Sequence, residues 1–276
     1  SRYTYVSAVC DKTLTFVSQF SKLTLWSWAQ SPLSLKNTPV YPDWMFCIVT
    51  KEISEYPSLN SNKSWIPDGW IIVEKIEILR IESLSRAPLV VEGYLFKGTN
   101  PKSPKIAIVG AMEGDSILPL YCASTMVDFF KNKIDKEKIE GDVLIIPSIN
   151  HYALNIGKRF WPLDNTDINM MFPGYELGET TQRIAKKVFD AISGYDFGII
   201  LERRPDPATC LPYIKLFKSG YEDLIGAKKF GFKMIHHRTM KSIDTVTLQY
   251  NWQLWGTKAF SIMCPSDNQV DKKIAS

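Results

Sequence analysis

Residues 105 to 109 read Lys-Ile-Ala-Ile-Val, a short run with almost no polar position, and Val143 to Ile146 repeats the pattern. Short apolar runs of this kind suit strands buried on both faces of a sheet. Leu89 to Phe96 reads as another strand, with Gly98 and Pro101 marking a turn after it. Upstream, Gly69 to Leu84 is rich in Ile and Val and suits an extended segment. A helix is expected from about Leu118 to Phe130. A second follows from Thr180 to Ile192, where Ile184, Val188 and Ile192 recur at a four-residue spacing and form one face. Phe197 to Leu201 is the next strand. Ser219 and Glu222 stand at capping-box spacing before a further helix, and Lys233 to Ile235 and Ala259 to Met263 complete the predicted strands. Strands alternating with helices predict an α/β fold with a mixed, largely parallel sheet flanked by helices. Ligands in such sheets sit beyond the carboxyl ends of the strands, so chemistry is expected just after each strand.

The first 70 residues change the picture. They hold Trp26, Trp28, Trp44, Trp65 and Trp70, together with a turn-rich stretch from Pro57 to Ser64. They read as short strands and loops, and residues 1–84 are expected to form a divergent N-terminal extension to a domain spanning 85–276. Apolar residues make up 45% of the 276 positions and charged residues 22%, a composition that supports a real core and not a disordered chain. The net charge of +4 gives no reason to expect nucleic acid. No apolar run approaches the ~20 residues that span a bilayer, so no membrane partner is expected. The N-terminus lacks the basic and apolar regions of a signal peptide. Cys10, Cys47, Cys122, Cys210 and Cys264 are scattered, odd in number and without a C-x-x-C pair. That pattern fits buried thiols in a reducing, cytoplasmic setting better than a disulfide framework. His151, His236 and His237 are the only histidines, and none stands at metal-ligand spacing from another.

Several strand ends resemble one family together. Gly110-Ala111-Met112-Glu113-Gly114-Asp115-Ser116 follows a strand and resembles the G-x-x-H-G-D/N-E segment of the succinylglutamate desuccinylase and aspartoacylase branch of the zinc carboxypeptidase superfamily. In that family the His and Glu are zinc ligands. Arg159 with Asp167-Ile168-Asn169-Met170-Met171-Phe172-Pro173-Gly174 resembles R…D-L-N-R-x-F-P-G, the most specific match, and Pro147 to Asn150 resembles the strand end leading into that loop. Ile199-Ile200-Leu201-Glu202 resembles I-D-L-H, whose His is the third zinc ligand. Gly256 to Met263 resembles the strand ending T-V-E, whose Glu is the general base. The likeness covers roughly residues 85 to 265 and implies a carboxypeptidase-like fold. It places Arg159, Asn169 and Asn150 as ligand-binding residues.

The departures from the family bear on mechanism. Glu113 stands for the first His, Ser116 for the ligand Glu, Glu202 for the second His, Met263 for the general base and Met170 for a substrate-binding Arg. A catalytic zinc takes three ligands from His and carboxylate and keeps one position for water, whose pKa it lowers to about 7. A neutral Ser is a poor ligand, two carboxylates suit a harder cation, and Met263 cannot accept a proton. Glu113, Ser116 and Glu202 are therefore read as vestigial metal positions, with no cofactor expected. Two inward carboxylates need a counter-charge. Arg159 is the first candidate, expected to pair with Glu113 or Glu202, and Arg203 and Arg204 are others. The resulting expectation is a catalytically degenerate, deacylase-like protein that binds a small carboxylated ligand or a protein partner. One alternative is a metal-dependent amidohydrolase acting on N-acyl amino acids or peptide-like substrates, with zinc or another divalent metal held by Asp115, Glu113 and Glu202. Another is a structural subunit of a complex.

Overall fold

The computed structural model describes residues 73–82, 87–132, 139–204 and 211–265. The five N-terminal tryptophans, Cys10, Cys47, Cys210 and residues 133–138 lie outside the described residues. Eight strands form one sheet: β1 (Val73–Ile81), β2 (Leu89–Phe96), β3 (Ile106–Val109), β4 (Val143–Ile146), β5 (Phe197–Arg203), β6 (Tyr213–Lys218), β7 (Ile235–Thr239) and β8 (Lys258–Cys264). Their order is β1-β2-β4-β3-β5-β8-β6-β7. The four central strands β4, β3, β5 and β8 run parallel, β1 and β2 add an antiparallel hairpin on one side, and β6 joins β8 antiparallel on the other. This is the mixed, largely parallel sheet that the alternation of elements predicts. β1 pairs with β2 from Val73↔Phe96 to Ile81↔Leu89, so the sheet itself begins well before residue 85.

Among the described residues, five helices flank the sheet: α1 (Ile117–Asn132), α2 (His151–Asn155), α3 (Thr180–Ile192), α4 (Leu224–Lys229) and α5 (Leu248–Leu254). One core joins the buried stripe of α3 (Ile184, Val188, Ile192) with Trp252 of α5 and Ile200 of β5. The other packs Leu118 and Ala123 of α1 and Ala227 of α4 against Leu201 and Phe260. The alternation of side chains across each strand assigns neighbours such as Ile200 and Leu201 to opposite cores.

Two elements depart from the sequence expectation for clear physical reasons. Ser219 and Glu222 do interact, since Glu222 Oε2 accepts from Ser219 N at 3.0 Å, but they close a turn. The helix starts four residues later than that spacing predicts, capped by Asp223, which accepts from Gly226 N at 2.7 Å. The strand expected at 233–235 runs instead from Ile235 to Thr239, along a sheet edge where polar His236, His237 and Arg238 are tolerated.

α5 was not foreseen. Its sequence, LQYNWQL, buries Gln249, Asn251 and Gln253 beside Leu248 and Trp252. The NH2 group of each amide finds a carbonyl acceptor, although Gln249 Oε1 is buried with no hydrogen-bond partner. Asn251 Nδ2 donates to the carbonyls of Phe172, Thr245 and Thr247 at 2.9–3.1 Å, Gln253 Nε2 to Ala259 O at 2.9 Å, and Gln249 Nε2 to Lys215 O at 2.8 Å. Trp252 Nε1 reaches Ile192 O at 3.2 Å, and its ring leaves no room beside Gly198, where a Cβ would meet it at 2.6 Å. The Phe172-Pro173-Gly174 turn is read as architectural, and Gly174 shows why. Its φ is +87°, and a Cβ would stand 2.1 Å from Lys186 N on α3.

Candidate functional site

The carboxyl ends of β3 and β5 bring the motif residues together. A small cavity of about 20 Å³ is lined by Met112, Glu113, Ser116, Asn169, Leu201, Glu202 and Arg203. Such a volume holds roughly one water molecule. Three positions read as vestigial metal ligands, Glu113, Ser116 and Glu202, thus share one wall, although they come from the turn after β3 and from the end of β5. Ser116 is 2% exposed and sits just before α1.

Two fixed contacts hold the turn that carries Glu113. Gly114 N donates to Arg159 O at 2.8 Å, and a Cβ at Gly114 would collide with Lys158 O at 2.3 Å. Glycine at this position lets the 113–116 turn lie directly against the 158–159 loop. The same loop sends Arg159 back over the turn. Its Nε and Nη2 donate to Glu113 Oε2 and Oε1 at 3.1 and 2.9 Å, a two-pronged pair. The guanidinium also lies 4.7 Å over the Phe160 ring. Arg203 Nη2 stands 2.7 Å from Asp115 Oδ2 and 3.8 Å from Glu113 Oε2. Of the two partners expected for Arg159, the structure selects Glu113.

Glu202 is served by a residue that the sequence reading missed. Lys215 Nζ on β6 donates to Glu202 Oε2 at 2.5 Å, and Ser261 Oγ on β8 donates to Oε1 at 2.9 Å. The register explains the meeting. Lys215 pairs with Ser261 across β6 and β8, and Ser261 stands opposite Ile200, two residues before Glu202 on the same face. Met263, at the position of the family's general base, is the registered partner of Glu202 but is buried and outside the cavity wall.

The other expected binding residues serve the fold in part. Asn169 lines the cavity, and its Oδ1 accepts from Leu248 N at 3.2 Å, which ties the motif loop to the start of α5. Asn150 is 1% exposed, away from the cavity wall, and its side chain caps α2 by accepting from Ala153 N at 3.2 Å. Met170 belongs to the 3-10 turn Ile168–Met170, which Asp167 caps by accepting from Asn169 N at 2.9 Å.

Among the described residues, four carboxylates here (Glu113, Asp115, Asp167, Glu202) meet three fixed cations (Arg159, Arg203, Lys215). Burial pushes the Glu113 carboxyl above its ordinary range, and the hydrogen bond and charge of Arg159 only partly oppose it. Arg159 itself is raised, chiefly by its hydrogen bond to Glu113. Seen from the arginine the pair is favourable, and seen from the glutamate it is costly. The cost falls on Glu113 because its side chain is 17% exposed, against 38% for Arg159. Asp167 is also raised, first by burial. At the start of α2, burial lowers the pKa of His151.

Carboxyls raised in this way bind protons more tightly folded than unfolded. Their contribution to stability is most favourable below the ordinary carboxylate range and is lost as pH climbs through the raised folded values. Measured against Glu113→Gln, which cannot titrate there, the melting-temperature advantage of the unaltered protein is expected to grow between about pH 7 and about pH 4. A gap that shrinks on acidification would contradict this assignment.

As a metal centre the residues do not fit. Both oxygens of Glu113 and both of Glu202 already accept from Arg159, Lys215 and Ser261. Ser116 offers only a neutral hydroxyl, and no three His, Cys, Asp or Glu side chains among the described residues converge as a ligand set.

Comparison with known proteins follows the same outline. Residues 102–201 match the succinylglutamate desuccinylase/aspartoacylase catalytic domain. That span includes Glu113, Ser116, Arg159 and Asn169 and ends one residue before Glu202. A curated relative, the N-alpha-acetyl-L-2,4-diaminobutyric acid deacetylase of Halomonas elongata, is 28% identical over 111 residues, which is 40% of this chain and 30% of the relative. Solved structures agree in fold. A succinylglutamate desuccinylase from a Silicibacter species superposes with a TM-score of 0.60 at 15% identity, covering 76% of this chain and 65% of that one. The product-bound ectoine utilization protein of Ruegeria pomeroyi gives 0.60 at 17% identity, with the same coverage of 76% and 65%. A metallo-carboxypeptidase from Burkholderia cenocepacia gives 0.54 at 12% identity, covering 76% and 62%. The chain thus spans under a third of its curated relative and somewhat less than two thirds of these structures.

Proposed function

From a chain whose residues 102–201 match the succinylglutamate desuccinylase/aspartoacylase catalytic domain, on a carboxypeptidase-like sheet, we propose a catalytically degenerate deacylase-like protein that acts by binding. One observation carries the reading. The two carboxylates at zinc-ligand positions are each neutralised by a side chain of the chain itself, Glu113 by Arg159 and Glu202 by Lys215. A cation entering between them would have to displace an arginine and a lysine from charge-assisted hydrogen bonds. It would find a hydroxyl at the third position and Met263 where a proton acceptor is needed.

The ligand class that fits the reading is a small carboxylated molecule of the N-acyl amino acid type. Arg159 and Arg203 are the groups to receive it at the cavity mouth, Arg159 being the more exposed. The curated relative is a deacetylase, which keeps metal-dependent amide hydrolysis as the second reading.

Metal analysis of the purified full chain, combined with a hydrolysis assay on N-acetyl amino acids, separates the two. The expected outcome is far less than one equivalent of transition metal and no turnover after zinc, manganese or magnesium is added. One tightly held equivalent, with turnover abolished by Glu113→Ala, would establish the amidohydrolase instead.

A further inference from the structure

The charge of this chain is unevenly placed. Residues 213–241 carry seven Lys and Arg against two acidic residues, a surplus of five, whereas the whole chain has a surplus of four. Within that stretch, residues 224–234 hold Lys228, Lys229 and Lys233 and no acid at all. All three lysines are exposed.

The same eleven residues also expose large apolar side chains. Ile225 is 75% exposed, and Leu224, Phe230 and Met234 are open as well. The segment is firmly held from beneath. Ala227 is fully buried, the Phe230 ring packs on Phe260 at 5.2 Å, and Phe232 rests on the α1-side core. Anchoring of this kind leaves Ile225 and the lysines directed away from the core with no structural task among the described residues. The two neighbouring acids are engaged elsewhere. Asp223 accepts from Gly226 N at 2.7 Å and lies 3.6 Å from Lys258 Nζ. Glu222 takes His237 and the turn amides of Ser219 and Gly220.

We propose that α4 and the turn after it, residues 224–234, form a docking surface for an anionic lipid bilayer. Interleaved lysines and exposed aliphatic side chains are what such a surface recognises: charge draws the segment to acidic headgroups, and Ile225, Leu224 and Met234 enter the acyl boundary. This is a contact in the plane of the interface, distinct from a span, and no described helix is long and apolar enough to cross. A nucleic acid partner would match the charge but would leave Ile225 and Met234 unburied. A second copy of this chain would bury the aliphatics but would bring lysines against lysines. An anionic bilayer satisfies both features.

The segment runs along the sheet from Asp223, beside Lys258 at the start of β8, to Met234 at the cavity end. Ile214 N donates to Met234 O at 3.2 Å, the adjoining Tyr213 is registered with Met263, and Met263 with Glu202.

Cosedimentation of the full chain with vesicles tests the proposal. Vesicles of phosphatidylcholine alone are expected to leave the protein in solution. Vesicles with roughly 30% phosphatidylserine at about 0.1 M salt are expected to bind it, and about 0.5 M salt to release it. The triple substitution Lys228→Gln, Lys229→Gln and Lys233→Gln should weaken partitioning on the order of 100-fold. Ile225→Asp should weaken binding while leaving the lysines in place. All four side chains are exposed, so an unchanged melting temperature confirms that the variants are folded. No binding to acidic vesicles overturns the proposal, as does equal binding by the triple variant or equal binding to neutral vesicles. Retention of single-stranded RNA without lipid binding would hand the patch to nucleic acid. An Ile225-dependent dimer without lipid binding would hand it to a second copy.

Discussion

Lys215→Met is expected to lower the unfolding free energy by about 3 kcal/mol, because it strands a carboxylate in a site that water barely enters. Glu202 and Lys215 have side chains only 13% and 18% exposed, and Lys215 is the closest cation to Glu202. The Ser261 hydroxyl, which donates to the other oxygen, supplies a hydrogen bond but no charge. Methionine keeps most of the volume of the lysine stem, so the loss reports charge and not packing. A second substitution distinguishes the two. Lys215→Met combined with Glu202→Gln removes both charges and is expected to recover most of the lost stability, as neutral replacement of a buried pair commonly does. Urea unfolding of the single and double variants reads this directly. A double variant no more stable than Lys215→Met would mean that the pair is not the source of the loss.

Arg238→Met is expected to cost a similar amount, about 3 kcal/mol, by a different route. Asp244 is 4% exposed and accepts from Arg238 Nη1 at 2.8 Å, Arg238 Nη2 at 2.6 Å and Lys241 N at 2.7 Å. Burial alone would raise its pKa, but these hydrogen bonds outweigh it and hold the carboxyl below its ordinary range. The sign is therefore opposite to that of Glu113. Its contribution is present above the unfolded carboxylate range and is lost as pH falls through the lowered folded value. The guanidinium also lies 4.6 Å over the Phe217 ring, so its removal exposes that face too. The consequence reaches the candidate site. Asp244 sits in the 3-10 turn Ser242–Val246, which feeds α5, and Leu248 at the start of α5 donates to Asn169. Thermal melts of Arg238→Met at neutral pH should show the loss, and an unchanged midpoint would refute it.

How far the sequence foretold this molecule depends on how each element hides its polar groups. β3 and β4 were legible because strands buried on both faces are uninterrupted apolar runs, and α3 because its apolar face repeats without a break. β6 escaped notice for the converse reason. Tyr-Ile-Lys-Leu-Phe-Lys places a lysine in mid-strand, and Lys215 is tolerated there only because Glu202 waits on β5, across β8. No local pattern encodes such a partner, and so the cation that neutralises half of the site was missed together with its strand. A lysine flanked by Ile and Leu inside a six-residue apolar run was the available signal. α5 was hidden in the same way, since amides that look exposed in sequence are buried against loop carbonyls. The motif turns around Glu113 and Asn169 were legible because glycine and proline fix their shape. The role of Asn150 was not, because a helix cap and a ligand contact draw on the same amide.

The position of β8 has a bearing on how the chain is made. It is the last strand in sequence among the described residues, yet it stands between β5 and β6 in the middle of the sheet. While the polypeptide is still emerging from the ribosome, β5 and β6 each present an unfilled row of backbone donors and acceptors. Open edges of that kind are where nascent chains stick to one another. Closure depends on seven residues that follow every other described strand in sequence. Until those residues are made, the two edges have no native partner to cover them.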